Sequence, residues 1–293
     1  VGRPYIVGIE GCVHDGWLVF SNISEKVHRD YLFYVLSGFD AQSQFQGKAL
    51  GGVVQNLNID RAKSVRIPLP DIYIQKKIVS ECQEVEDEVL VAQKNIFSYQ
   101  NLGLEIIAEE KFSKISLGQR AQRVAALIDP QKRDGEVIYI GLENIEGGTG
   151  RVVDMGMTPY ADIKSVKSEF SQGDVLYGKL RPNLNKVYIA ESAGICSTDI
   201  LVFRFSSADL AYLYSHYLRT PEFNAAVVRT IAGQQLPRTS WDKLAVLPVP
   251  DFTKVDVHRL VISIKTLEKQ IAEAQAVIDS APARKQAILH KYL

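Results

Sequence analysis

The chain of 293 residues balances 34 basic against 34 acidic side chains, and its 46% hydrophobic and 23% charged content excludes a disordered protein. The length is enough for two domains of ordinary size with connecting helices. Three cysteines, Cys12, Cys82 and Cys196, are an odd number without a C-x-x-C spacing, which argues against a disulfide framework and against a zinc site.

In chain order, Val1-Gly2-Arg3-Pro4 has the features of neither a signal nor a transit peptide. No run of about 18 apolar residues follows. The expected setting is the cytoplasm, with no membrane contact. Gly11 to Phe20 ends in a Leu-Val-Phe strand, and Tyr31-Leu32-Phe33-Tyr34 lies on an amphipathic segment that reads as a short helix. A Gly-led polar loop, Gly51 to Asn58, presents Gln55, Asn56 and Asn58 before a short apolar strand. Ile67-Pro68-Leu69-Pro70-Asp71 then opens a long helix running to about Lys111. Its apolar residues Ile78, Cys82, Val85, Val89, Ala92, Ile96 and Tyr99 alternate steps of four and three, the a/d seam of a coiled coil.

From about Ser116 come strand-like runs, Val137 to Ile145 and Asp174 to Tyr177, bounded by a Gly147-Gly148-Thr149-Gly150 turn and by Gly173. The earlier pattern then returns: Gly194 to Phe203 sits over Gly11 to Phe20, Tyr212 to Ser215 over Tyr31 to Tyr34, and Ala232 to Arg238 over Gly51 to Asn58. Leu247-Pro248-Val249-Pro250-Asp251 introduces a second seam, Leu260, Ile264, Leu267, Ile271, Ala274, Ile278 and Ala281, in phase with the first. A helix of about 40 residues spans roughly 60 Å. Its stripe is too narrow to bury alone, so the two helices are expected to lie against each other.

The repeat divides the chain into a partial first module, residues 1–70, a spacer helix, 71–115, a complete second module, 116–250, and a second spacer, 251–293. Because no counterpart of Ser116 to Lys186 precedes Val1, a truncated N-terminus or completion by another chain is expected. The architecture expected is α/β in the α+β sense: repeated modules joined by two long antiparallel coiled-coil-like helices.

There is no G-x-S-x-G, H-E-x-x-H or G-x-x-x-x-G-K-[ST], and His14, His28, His216, His258 and His290 lie apart along the chain. Beside two such modules no length remains for a doubly wound cofactor-binding domain. Recognition chemistry is better represented. Lys179, Arg181, Asn183, Asn185 and Lys186 fall within eight residues, and Gln234, Gln235, Arg238 and Thr239 form a second polar group. Lysine and arginine neutralise phosphates, while asparagine, glutamine and arginine make paired hydrogen bonds to purine edges. The acidic first helix, with Glu81, Glu84, Glu86, Asp87 and Glu88, suits protein or water. A solvated hairpin is the bland alternative for the basic loop.

At these motifs the chain resembles the specificity subunits of type I restriction-modification systems. YIGLENIEGGTG (Tyr139 to Gly150), GDVLYGKLRPNLNKVYIA (Gly173 to Ala190), GICSTDILVFR (Gly194 to Arg204), YLRTPEF (Tyr217 to Phe223) and LPRTSWDKLAVLPVPD (Leu236 to Asp251) look like that family's target recognition domain. Of the Glu-Gln pair that commonly follows the family's Pro-Pro-Leu turn, the first copy keeps only Gln75. The resemblance implies a non-catalytic reader of a split, asymmetric site in double-stranded DNA, docked to two adenine-N6 methyltransferase subunits that use S-adenosylmethionine. Motor-nuclease subunits with Mg and ATP complete the restriction enzyme, so no cofactor is expected in this chain. The rivals are a coiled-coil scaffold that binds protein alone and, more remotely, a metal-dependent nuclease.

Overall fold

The computed structural model describes residues 2–48, 57–108, 111–231 and 236–293. Its helices are α1 (Arg29–Ser37), α2 (Phe39–Lys48), α3 (Ile59–Lys63), α4 (Ile72–Ile106), α5 (Ala208–Leu218), α6 (Pro221–Arg229), α7 (Trp241–Ala245) and α8 (Val257–Tyr292). Its strands are β1 (Lys114–Ser116), β2 (Ala121–Val124), β3 (Leu127–Ile128), β4 (Glu136–Ile140), β5 (Met157–Pro159), β6 (Lys167–Phe170), β7 (Val175–Gly178), β8 (Val187–Ile189), β9 (Gly194–Cys196), β10 (Ile200–Phe205) and β11 (Pro248–Pro250). Two units result, residues 1–98 with 270–293, and residues 99–269.

In the first unit the helices start where side chains satisfy their free N–H groups. His28 Nδ1 accepts from Asp30 N, and Asp71 Oδ1 accepts from Tyr73 N and Ile74 N at 2.9 and 3.1 Å. Tyr31, Tyr34, Val35, Leu36, Ala41 and Phe45 close over Ile78 and Cys82 of α4 and Leu289 of α8. Gln75 is fully buried and ties this core to the chain before it: Oε1 accepts from His28 N, and Nε2 donates to the carbonyls of Lys26 and Pro70. Tyr31 donates its hydroxyl to the Pro68 carbonyl at 2.7 Å.

Across the two helices of this unit, Lys291 meets Glu81, Lys285 meets Glu86 and Arg284 meets Glu88. As the α8 number falls the α4 number rises, so these stretches run antiparallel. Part of the acidic face expected to meet partners is thus neutralised within the chain. Such exposed pairs fix register more than they stabilise. Every residue of both apolar seams is buried or half-buried.

The strand expected at Leu18-Val19-Phe20 does not form. Among the described residues no strand in this unit offers that backbone a ladder, and Val19 and Phe20 are left 68% and 56% exposed. The polar loop expected at 51–58 lies outside the described residues, except for Leu57 and Asn58.

The second unit carries the sheets. One is four-stranded in the order β2-β10-β7-β8, all antiparallel, and another is five-stranded in the order β3-β6-β9-β4-β5 with a single parallel pair, β4 and β9. A third joins β1 to β11. Here the matching Leu201-Val202-Phe203 does become strand, because β10 lies between β2 and β7. The largest core packs Val175, Tyr177, Leu201 and Phe203 of the four-stranded sheet against α5 and α6, with Ile107, Val261 and Ile264 against the same cluster. Tyr214 is buried and donates to the Pro250 carbonyl at 2.8 Å. Asp174, 1% exposed, receives both Arg204 bonds at 2.7 Å.

Candidate nucleic-acid interface

Strands β7 and β8 are antiparallel neighbours whose connection is Lys179 to Lys186. Within it a single 3-10 turn, Pro182–Leu184, is flanked by Arg181 (φ 49, ψ 57) and Asn185 (φ 53, ψ 51). Left-handed backbone at a non-glycine residue costs about 1 kcal/mol or more and persists only where the surroundings over-determine it.

Remote residues supply that constraint. Arg181 N donates to the Pro237 carbonyl at 2.8 Å, and Gly148 N donates to the Asn185 carbonyl at 2.8 Å. Asn185 Nδ2 donates to the Arg219 carbonyl at 2.7 Å, and Asn224 Nδ2 to the Pro182 carbonyl at 2.9 Å. Gly147 approaches so closely that a Cβ there would lie 2.5 Å from the Leu184 carbonyl oxygen. At Gly150, which has φ +78, a Cβ would meet the Arg219 guanidinium at 2.5 Å.

Three loops therefore form one platform: 146–151, 179–186 and 236–240. Leu180 bridges Arg238, and Thr239 N donates to the Lys179 carbonyl at 3.0 Å. Arg151, Lys179, Arg181, Lys186 and Arg238 outnumber the single carboxylate of these loops, Glu146. That carboxylate is held below its usual range by hydrogen bonds from Thr149 and Arg151. Charge segregates here although the whole chain is neutral.

The expected contact residues fare differently. Arg181 and Asn183 are exposed and Lys179 is half-buried; no side-chain bond of the three occurs among the described residues. Lys186 donates its ammonium to the Leu142 carbonyl at 2.6 Å. Asn185 faces inward, and its Oδ1 is buried without a hydrogen-bond partner among the described residues. Arg238 pairs with Asp199 at 3.3 Å. Thr239 is buried, 3.5 Å from the Thr230 hydroxyl. Asn58 belongs to the first unit, where its side chain accepts from Arg61 N and caps α3. Gln55, Asn56, Gln234 and Gln235 lie outside the described residues.

Sequence reasoning passed over Asp199 and Arg219, which tie the platform together. Both stand inside quoted motifs, GICSTDILVFR and YLRTPEF, but no periodicity or spacing gives them a role. Burial depresses the Arg219 guanidinium. Nearby, His216 faces Glu268 at 3.2 Å, and burial lowers the imidazole's pKa and favours its neutral form. No group of three or more potential metal ligands occurs among the described residues.

Residues 2–96 match the family model described as "Type I restriction modification DNA specificity domain". The Type I restriction enzyme EcoDI specificity subunit of Escherichia coli is 29% identical over 161 residues, covering 53% of this chain and 35% of that protein. The match thus spans about a third of the curated relative's length. Among solved structures, one described as the structural basis of complex assembly and conformational transition of the type I R-M system aligns with a TM-score of 0.58 at 15% identity, covering 90% of this chain and 70% of that one. The HsdS subunit from Thermoanaerobacter tengcongensis aligns with a TM-score of 0.48 at 16% identity, covering 90% and 69%. The family and curated matches bear out the resemblance drawn from the motifs, and the first of the two structures shows the fold.

Proposed function

We propose that this chain, which carries a type I restriction-modification DNA specificity domain over residues 2–96, is a non-catalytic reader of double-stranded DNA within a type I complex. The observation that carries the reading is that family match. The second unit supports it with a basic, conformationally locked platform on which Arg181 and Asn183 are exposed and Lys179 is half-buried.

In this reading residues 116–250 form one recognition domain and residues 1–70 contribute to another, each addressing one half of a bipartite asymmetric site. The helices at 71–115 and 251–293 are spacers that dock adenine-N6 methyltransferase subunits. Those partners hold S-adenosylmethionine, and motor-nuclease subunits use Mg and ATP. The assembly works in the cytoplasm. Arg181 is the candidate for paired hydrogen bonds to guanine O6 and N7, and Lys179 for a phosphate. Asn185, Lys186, Arg238 and Thr239 hold the loop that presents them.

The test is selection of bound duplexes from a random pool by the full chain, alone and with its methyltransferase partner, at stated salt. A split motif of fixed spacing is expected. Arg181→Ala should relax one position, at about 1–3 kcal/mol of discrimination, while Lys179→Ala should weaken all duplexes alike and reduce the salt slope by about 0.9. No enrichment under either condition would refute the reading and favour a scaffold that binds protein alone.

A further inference from the structure

Two large apolar side chains stand out of the basic platform. Leu184 is 46% exposed and Leu236 52% exposed. Single exposed leucines are ordinary on protein surfaces, but Leu184 belongs to, and Leu236 directly precedes a residue of, one hydrogen-bonded constellation around Arg181. Leu184 N donates to the Arg181 carbonyl at 2.9 Å, and Arg181 N donates to the carbonyl of Pro237, the residue after Leu236. Neither leucine belongs to a hydrophobic core cluster or to the partly buried residues packed against one.

The backbone beneath Leu184 is fixed from both sides. It ends a 3-10 turn between two left-handed residues, and its carbonyl lies where only a glycine at position 147 can approach. The locked loop therefore holds an exposed apolar group in the same turn as an exposed arginine whose guanidinium has no bonded partner among the described residues. Interfaces between proteins deplete lysine and carboxylates at their centre, though not arginine. Here the apolar groups are set among cations instead. The partner complementary to that mixture is polyanionic, presents hydrogen-bond acceptors to an arginine, and carries small apolar groups beside them. The major groove of DNA has all three, its apolar group being the C5-methyl of thymine.

We propose that Leu184 and Leu236 read thymine methyl groups next to the base pair contacted by Arg181, so that this platform selects thymine by apolar contact as well as guanine by hydrogen bonds. The proposal rests on the DNA-reading function above. It adds a ligand chemistry and two specificity-determining residues that the polar motif count does not contain.

The experiment uses the full chain and the duplex recovered by selection, with each thymine replaced in turn by uracil, which removes the methyl and leaves base pairing intact. Loss of one buried methyl should weaken binding about four-fold at one or two positions. Leu184→Ala or Leu236→Ala should abolish that penalty at its own position and leave the others unchanged. Leu184→Met, which keeps apolar reach, should retain it. Both leucines are exposed, so thermal melting of the variants should match the parent.

Selective binding with no uracil penalty, or a penalty that persists unchanged in both alanine variants, would overturn this inference while leaving DNA reading intact. A uniform loss of affinity in the alanine variants, indifferent to uracil, would also overturn it and indicate wedging between base steps. Absence of any sequence-selective binding would remove the proposed function and this inference together.

Discussion

Replacing Gln75 by leucine is expected to destabilise the first unit by about 2 kcal/mol. Gln75 is fully buried and makes three bonds: His28 N to Oε1 at 2.7 Å, and Nε2 to the carbonyls of Lys26 and Pro70 at 2.9 Å each. At about 1 kcal/mol net apiece these sum to about 3 kcal/mol. The leucine returns roughly 1 kcal/mol of apolar burial. Gln75→Glu sharpens the test. A carboxylate can still accept from His28 N, but when ionised it has no donor for the two carbonyls. Burial and those carbonyls raise its folded-state pKa above the unfolded value of about 4.3. The glutamic acid is therefore tolerated best below that value, and the deficit grows as pH rises towards the folded pKa, by up to about 1.4 kcal/mol per unit. Urea unfolding followed by circular dichroism at pH 5 and 8, with hydrogen exchange at the amides of α1, reads both effects. If Gln75→Leu unfolds within about 0.5 kcal/mol of the parent, or Gln75→Glu shows no added deficit at pH 8, the three bonds do not carry the stability assigned to them.

Arg204→Met should cost about 3 kcal/mol in the same urea experiment, because it strands Asp174, 1% exposed, without its bidentate partner; Asp174→Asn in the same chain should recover part of the loss, and an additive double variant would count against the pair. Burial raises the Asp251 pKa, but hydrogen bonds from Thr253 and Arg120 outweigh it and hold the carboxyl below its usual range. The stability it contributes is present above the unfolded pKa of about 3.9 and is lost as pH falls through the lower folded value. Thermal melts from pH 5 down to 2.5 should show that fall in the parent and a smaller one in Asp251→Asn. Tyr31→Phe and Tyr214→Phe should each lose about 1 kcal/mol, with the larger effect at Tyr214, whose bond to Pro250 is buried while that of Tyr31 to Pro68 is only partly so. Equal melting temperatures for both variants and the parent would remove the hydroxyls from the account.

The sequence alone determined the elements whose cause is local. Seam residues such as Ile78 and Ile264 recur with the period of a helix, so their burial follows whichever surface covers the stripe. Pro68 and Pro250 stop what precedes the long helices, and Gly148 and Gly150 permit positive φ in the turn between Glu146 and Arg151. The basic composition of Lys179 to Lys186 was legible directly, whereas the hairpin that carries it stood in the sequence only as the alternative to a contact loop.

Strand formation was decided elsewhere. Leu18-Val19-Phe20 and Leu201-Val202-Phe203 have the same apolar run, yet only the second is strand, because β2 and β7 satisfy its backbone from both sides. The loop residues divide in the same way. Arg181 and Asn185 are four positions apart in a polar stretch, and nothing in their spacing tells which points outward. Tertiary structure decided it: Pro237, Gly148 and Arg219, remote along the chain, bond to this loop and turn Asn185 in, while the Arg181 side chain is exposed and makes no bond among the described residues. A side chain's type is written in the sequence, but its availability depends on which distant groups already satisfy it.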